Sequence, residues 1–213
     1  MKSTIILLLI FIFQFNHDYN FDYRLEYELK VSNSDSIRYV NYYVNSKNNS
    51  YYADIRKNKN SEEYNFYFRD EDYLTISTTA NGNLENPGTL IIPDSITQPW
   101  HNEEFKTIAK DYMIERLEDT TINNNSYARV VFKMINPKKS KRKRIGSHIY
   151  IIDTGKTMKP FLSDPIILNI WRLDRNMPNG LIIEKLVYKS DGTLSRSEKL
   201  KKVSPVNFHL KIQ

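Results

Sequence analysis

The side chains of this chain that are able to do chemistry are few and scattered. Its four histidines, His17, His101, His148 and His209, stand far apart, with none of the short spacings that put two imidazoles on one metal. His101 follows Trp100 at the edge of a long loop, His148 lies inside an apolar stretch, and His209 falls on the polar side of an alternating segment. Each reads as an ordinary surface or core histidine. Cysteine is absent, which removes thiolate nucleophiles, disulfides and cysteine-based zinc sites together. No GxSxG, HExxH or phosphate-loop motif is present, and only 6 glycines are available for loops that cradle phosphate. The acidic run Asp70, Glu71, Asp72 reads as a solvated turn rather than a glycosidase pair. The expectation is a noncatalytic protein with no metal and no cofactor.

One cluster is dense. Residues 138–144, KKSKRKR, carry Lys138, Lys139, Lys141, Arg142, Lys143 and Arg144. These six bases equal the whole formal net charge of +6, so the rest of the chain is balanced. The run follows Pro137 between two alternating segments and reads as the tip of a β-hairpin. A local patch of this kind fits an anionic membrane surface or glycan. No aromatic residue interleaves it, so base stacking is not suggested and nucleic acid is not expected. The other reading is a solvated tip whose charge blocks edge-to-edge association.

The remaining functional signal is aromatic. Tyrosine is in excess at 15, which suits half-wet strands where the ring packs and the hydroxyl stays polar. Tyr23, Tyr27, Tyr39, Tyr43, Tyr64, Phe66 and Phe68 fall on neighbouring alternating segments and are candidates to line one concave face. Segment 80–104, interrupted by Pro87, Pro93 and Pro99 and carrying Trp100, is the candidate flap over it. Such a face is either a greasy cavity for a lipid or acyl chain, or a filled core that binds nothing.

The elements that must hold these residues read as strands. Residues 21–31, FDYRLEYELKV, alternate apolar and polar without a break, a period of two that suits a half-buried strand. Further strands are predicted at 37–44, 51–56, 63–69 and 73–79, spaced by polar turns in the manner of a meander. After the proline-rich segment they resume at 107–117, 127–135, 145–153, 166–173, 181–189 and 206–212, with no convincing long helix. The fold class is mostly β: a single curved antiparallel sheet or half-barrel of about ten strands with a long loop or short helical lid, over residues 19–213. Upstream, one lysine precedes the apolar run Ile5–Phe13, too short to cross about 30 Å of hydrocarbon. Residues 1–18 therefore read as a signal peptide and the protein as periplasmic or secreted, although no small-x-small cleavage pattern is present.

The stretch WRLDRNMPNGLIIEKLVYKSDGTLSRSEKL, Trp171–Leu200, runs as polar turn, Pro-x-Gly, strand, Asp-Gly turn, strand. With the early meander and the leader, it resembles the periplasmic half-barrel proteins of the lipoprotein-carrier type, LolA/LolB-like. The composition is also similar to that of exported proteins of Bacteroidetes-type bacteria. The resemblance implies a strongly curved sheet with a helical lid, binding lipids or lipoprotein acyl chains in its hollow. The function expected is binding of a hydrophobic or amphipathic ligand at the cell envelope. The alternative is an envelope protein–protein interaction module with a filled core.

Overall fold

The computed structural model describes residues 17–34, 36–58, 63–81, 84 and 87–213; most of the expected leader lies outside the described residues. The first five strands are β1 (His17–Val31), β2 (Ile37–Asn45), β3 (Asn48–Lys57), β4 (Glu63–Asp70) and β5 (Leu74–Asn81). Two short strands follow, β6 (Thr89–Ile92) and β7 (Gln98–Pro99), and then helix α1 (Glu103–Ala109). The second half runs β8 (Tyr112–Ile122), β9 (Asn125–Met134), α2 (Pro137–Lys143), β10 (Ser147–Asp153), α3 (Pro165–Asp174), β11 (Leu181–Tyr188) and β12 (Leu194–Ile212). Together the strands make one large open sheet, mostly antiparallel and not closed into a barrel.

Its order is β7-β5-β4-β3-β2-β1-β12-β11-β10-β9-β8. Two meanders are joined at the centre by the first and last long strands, which pair from His17–Ile212 to Val31–Arg196. β6 adds a parallel edge to the distal part of β12, from Thr89 beside His209 to Ile92 beside Ile212. This four-residue strand sits between Pro87 and Pro93, a length and an edge position that proline tolerates. Within the segment expected as a flap, residues 89–92 thus run as an extra strand, and Leu84 and Ile92 bury in a core with β3, β4 and β5.

Both faces of the sheet are packed. Tyr43 and Val44 are neighbours on β2 and so point to opposite sides; Tyr43 joins one cluster with Tyr51, Phe66, Phe68 and Phe208, and Val44 another with Leu25, Tyr27 and Tyr52. The second side continues through the pairs Leu29–Glu198, Glu198–Lys185 and Lys185–Tyr150 to a third cluster under α3. We call this side the lid face and the other the back face. β1 divides between them. Tyr19 and Phe21 belong to the back-face cluster, whereas Leu25 and Tyr27 belong to the lid face, and the pairing with β12 slips between Phe21 and Tyr23. A one-residue slip exchanges the faces of a strand, so the unbroken stripe in the sequence serves two cores.

One segment expected as a strand and one expected as a hairpin tip are helical. α3 replaces the strand expected at 166–173: the Asp164 carboxylate accepts from the Ile166 and Ile167 amides, Pro165 takes the first turn, and Ile167, Leu168, Ile170 and Trp171 bury. α2 replaces the hairpin tip. Asn136 accepts from the Lys139 amide at 3.1 Å, Pro137 opens the helix, and Arg144 closes it in the left-handed region with φ 55°. Segment 107–117 divides likewise, with α1 ending at Ala109 and β8 beginning at Tyr112. The β8–β9 turn, by contrast, is the tight two-residue hairpin that Asn123-Asn124 favours, both at positive φ.

Candidate functional site

A strap of irregular chain, residues 154–164, leaves β10, crosses the lid face and enters α3. Its apolar side chains Met158, Phe161 and Leu162 lie against the sheet. Phe161 packs on Tyr42 and Tyr52 at ring-centroid distances of 4.7 and 5.2 Å. Gly180 fixes the strap from below: its amide donates to the Met158 carbonyl at 2.8 Å, and a Cβ there would stand 2.5 Å from the Asp153 carbonyl oxygen. With φ +149°, that position favours glycine on both counts.

Beside Phe161 the lid face opens into a groove of about 590 Å³. Tyr42, Tyr52 and Tyr67 form its aromatic wall, with Leu29 and Val40 beside them. Arg38, Arg56 and Arg196 stand with Asp54 and Glu198 around the same space. Arg56 donates through Nε to Asp54 at 2.9 Å, and Arg196 meets Glu198 at 3.1 Å. The Arg196 Nε is buried with no hydrogen-bond partner. Burial pushes the hydroxyls of Tyr42 and Tyr52 well above the ordinary tyrosine range, so both stay protonated. Burial also raises the Asp54 carboxyl, against the opposing pull of Arg56. Deeper under the strap the space shrinks to about 20 Å³, and the Tyr27 hydroxyl there donates to the Ile182 carbonyl at 2.6 Å. The lid face thus offers an open amphipathic groove whose inner end is filled.

The aromatic residues singled out from sequence are distributed, not gathered. Tyr43, Tyr64, Phe66 and Phe68 lie together in the back-face core. Tyr27 is buried on the lid face, Tyr23 packs partly against the same cluster, and Tyr39 is 56% exposed. The wall of the groove comes instead from Tyr42, Tyr52 and Tyr67. The doublets Tyr42-Tyr43 and Tyr51-Tyr52 put one ring on each face, so the second set was available in the alternation.

Trp100 takes part in a buried polar network that sequence reading missed. The Arg69 guanidinium lies between the rings of Tyr52 and Trp100, 5.1 and 4.8 Å from their centroids. It donates to the Ser163 carbonyl and meets Glu71, both at 2.5 Å. Trp100 Nε1 donates to the other Glu71 oxygen at 3.1 Å, and Asn102 donates to the Glu71 carbonyl. Asn169 of α3 donates in turn to Asn102 at 2.8 Å. Glu71 is 1% exposed and Asp70 4%, so the acidic run is largely interior rather than a solvated turn; Asp72 alone reaches the surface, where Arg172 grips both its oxygens. Burial raises the Glu71 carboxyl, and the Arg69 charge opposes that rise. The network ties the β4–β5 turn, the segment before α1, the strap and α3 into one unit.

The histidines stay apart. His17 stacks on Tyr19 and His209 bonds Asn20 and Asn207, while His148 is half-buried against Phe132 and Tyr150 and His101 is exposed. Among the described residues no group of three His, Asp or Glu side chains is placed to hold a metal ion. Of the basic run, Lys139 pairs with Asp111 at 2.5 Å, and Lys138, Lys141, Arg142, Lys143 and Arg144 project into solvent. No helix among the described residues is long and apolar enough to cross a membrane.

No protein-family model and no curated protein sequence matches the chain. Among solved structures it is similar to the MucA/MucB complex of Pseudomonas aeruginosa, with 9% identity over 86% of this chain and a TM-score of 0.45. It spans about half (51%) of that longer chain. It is also similar to an outer membrane lipoprotein-sorting protein domain from Vibrio parahaemolyticus, with 8% identity over 86% of this chain and 85% of that one, TM-score 0.32. A LolA superfamily protein from Nitrosomonas europaea gives 9% identity over 87% and 85%, TM-score 0.29. A protein of the LolA type, the resemblance read from the sequence, is among these solved structures, at 9% identity.

Proposed function

We propose that this chain is an exported, noncatalytic binding protein of the cell envelope that takes an amphipathic ligand in the lid-face groove. The observation that carries the reading is the groove itself. Its volume of about 590 Å³ lies in the usual range for small-molecule sites, and its tyrosine wall adjoins an arginine-rich rim. Tyrosine rings accept an apolar chain, and Arg38 and Arg196 suit an anionic head group. The filled inner end limits the site to a ligand lying along the groove rather than one threaded through the sheet.

The test is native mass spectrometry with organic extraction on protein purified without detergent, then incubated with lipid extract. The expected result is one amphipathic lipid per chain, lost in the Arg38→Gln/Arg196→Gln variant. An apo mass unchanged by lipid would refute the reading. A protein-interaction module is the second reading, and β8 supports it: this eleven-residue strand ends the sheet with one edge unpaired among the described residues. Hydrogen exchange at its amides, slowed by a partner, would favour that reading.

A further inference from the structure

One end of the sheet combines features that the groove does not use. The ladder fixes which residues share that end: Tyr112 opposes Met134, Ser147 opposes Tyr188, Tyr188 opposes Leu194, Arg196 opposes Val31, and Lys30 opposes Ile37. Along this rim four large aliphatic side chains face solvent: Ile135 at 55%, Leu194 at 40%, Val31 at 40% and Ile37 at 48% exposure. Tyr39, 56% exposed, stands just behind Ile37 on β2. Isolated exposed leucines need no explanation, but four at the tips of neighbouring strands form one line. From β9 to β2 that line crosses five strand spacings, about 24 Å at roughly 4.8 Å each.

Helix α2 extends beyond the same rim, between β9 and β10. Its five outward cations have no carboxylate within ion-pair distance among the described residues, and the one that does, Lys139, is held to Asp111. Lys189 adds a further cation at the β11–β12 turn, and Asp191, which accepts from Thr193, is the acid beside it. A row of aliphatic tips flanked by free cations is the pattern of a surface that enters the interfacial region of an anionic bilayer. A solvated tip would account for the lysines but not for the aliphatic row beside them.

We propose that this rim docks the protein on an anionic lipid bilayer, with Ile37, Val31, Leu194 and Ile135 entering the interface and α2 lying on the head groups. The proposal is independent of the groove and its ligand. It sets the sheet end-on to the membrane, with both faces free.

The test uses the whole chain in vesicle sedimentation, comparing vesicles of phosphatidylcholine alone with vesicles containing phosphatidylglycerol; any pull of the apolar N-terminal run contributes to both. Two variants remove the same charge from opposite ends of the sheet. Lys141→Gln/Arg142→Gln acts on α2, and Lys47→Gln/Lys156→Gln acts on exposed turns at the far end. At about 1 kcal/mol for each cation near an anionic surface, the first pair should weaken anionic-vesicle binding about 25-fold and the second should leave it unchanged. An Ile37→Trp variant should have its fluorescence quenched by brominated acyl chains in the anionic vesicles. Equal losses from the two charge variants, no preference for anionic vesicles, or an unquenched Trp at position 37 would each overturn the proposal.

Discussion

His148 should make this fold sensitive to mild acid. The side chain lies between Phe132 and Tyr150, with ring centroids 5.4 and 6.4 Å away, and its Nδ1 is buried without a partner. Burial, aided by the positive charge of Lys185, lowers its pKa from 6.5 to about 4. The folded protein therefore keeps a neutral imidazole where the unfolded chain takes up a proton. Because the folded pKa is depressed, stability falls as pH falls through the window between the two values and is level above it. With 1.36 kcal/mol per unit, the full loss is about 3 kcal/mol, and about 2 kcal/mol of it falls between pH 7 and pH 5. His148→Phe keeps a ring in the site and removes the titration. Urea unfolding followed by tryptophan fluorescence at both pH values gives the comparison. The parent should lose about 2 kcal/mol more than the variant on acidification, since the other ionisable groups are common to both. Equal acid losses would show that His148 protonates freely in the folded state, and the argument from burial would fail.

Other outcomes follow from the same packing. Arg69→Met leaves Glu71 buried and unpaired and should cost about 3–5 kcal/mol, whereas the double variant Arg69→Met/Glu71→Gln should recover part of that loss in thermal melts. Gly180→Ala sets a Cβ against the Asp153 carbonyl at positive φ and should destabilise by at least about 2 kcal/mol, read as a shift of the urea midpoint. Phe161→Ala removes the ring that packs on Tyr42 and Tyr52; being half-buried, it should cost about 2 kcal/mol while lengthening the groove inward. If the groove is the ligand site, a fluorescent fatty acid should bind that variant more tightly than the parent.

The two meanders were legible in the sequence because period-two alternation and polar turns are local signals. The helices were not, for a specific reason. In IILNIW an unbroken apolar run satisfies a buried strand and a buried helix alike, and periodicity cannot separate them. What distinguishes α3 is its entry, an Asp-Pro step, and α2 opens with the matching Asn-Pro step. Both are capping signals that the apolar pattern and the charge run drew attention away from. The groove was harder still. Alternation shows that Tyr42 and Tyr43 face opposite ways, but not which side a distant strap will cover. The slip at Phe21 and Tyr23 depends on pairing with β12, at the other end of the chain. Arg69, Glu71 and Trp100 meet only through tertiary packing, so no spacing announces them.

The central pairing of β1 with β12 also governs when this molecule can become native. The first meander closes with short loops, and the second is interrupted only by α2 and by the 154–180 crossover that carries the strap and α3, so β2–β5 and β8–β11 can each form from neighbouring chain. The seam that joins them brings His17 to Ile212 and must wait for the last strand to be available. Until then neither meander has its neighbour at the middle of the sheet, and the back-face core lacks Phe208, Leu210 and Ile212. A chain built this way keeps its sheet in two halves until β12 has been made. The order of strands thus acts as a timer, delaying the complete sheet until β12 is available.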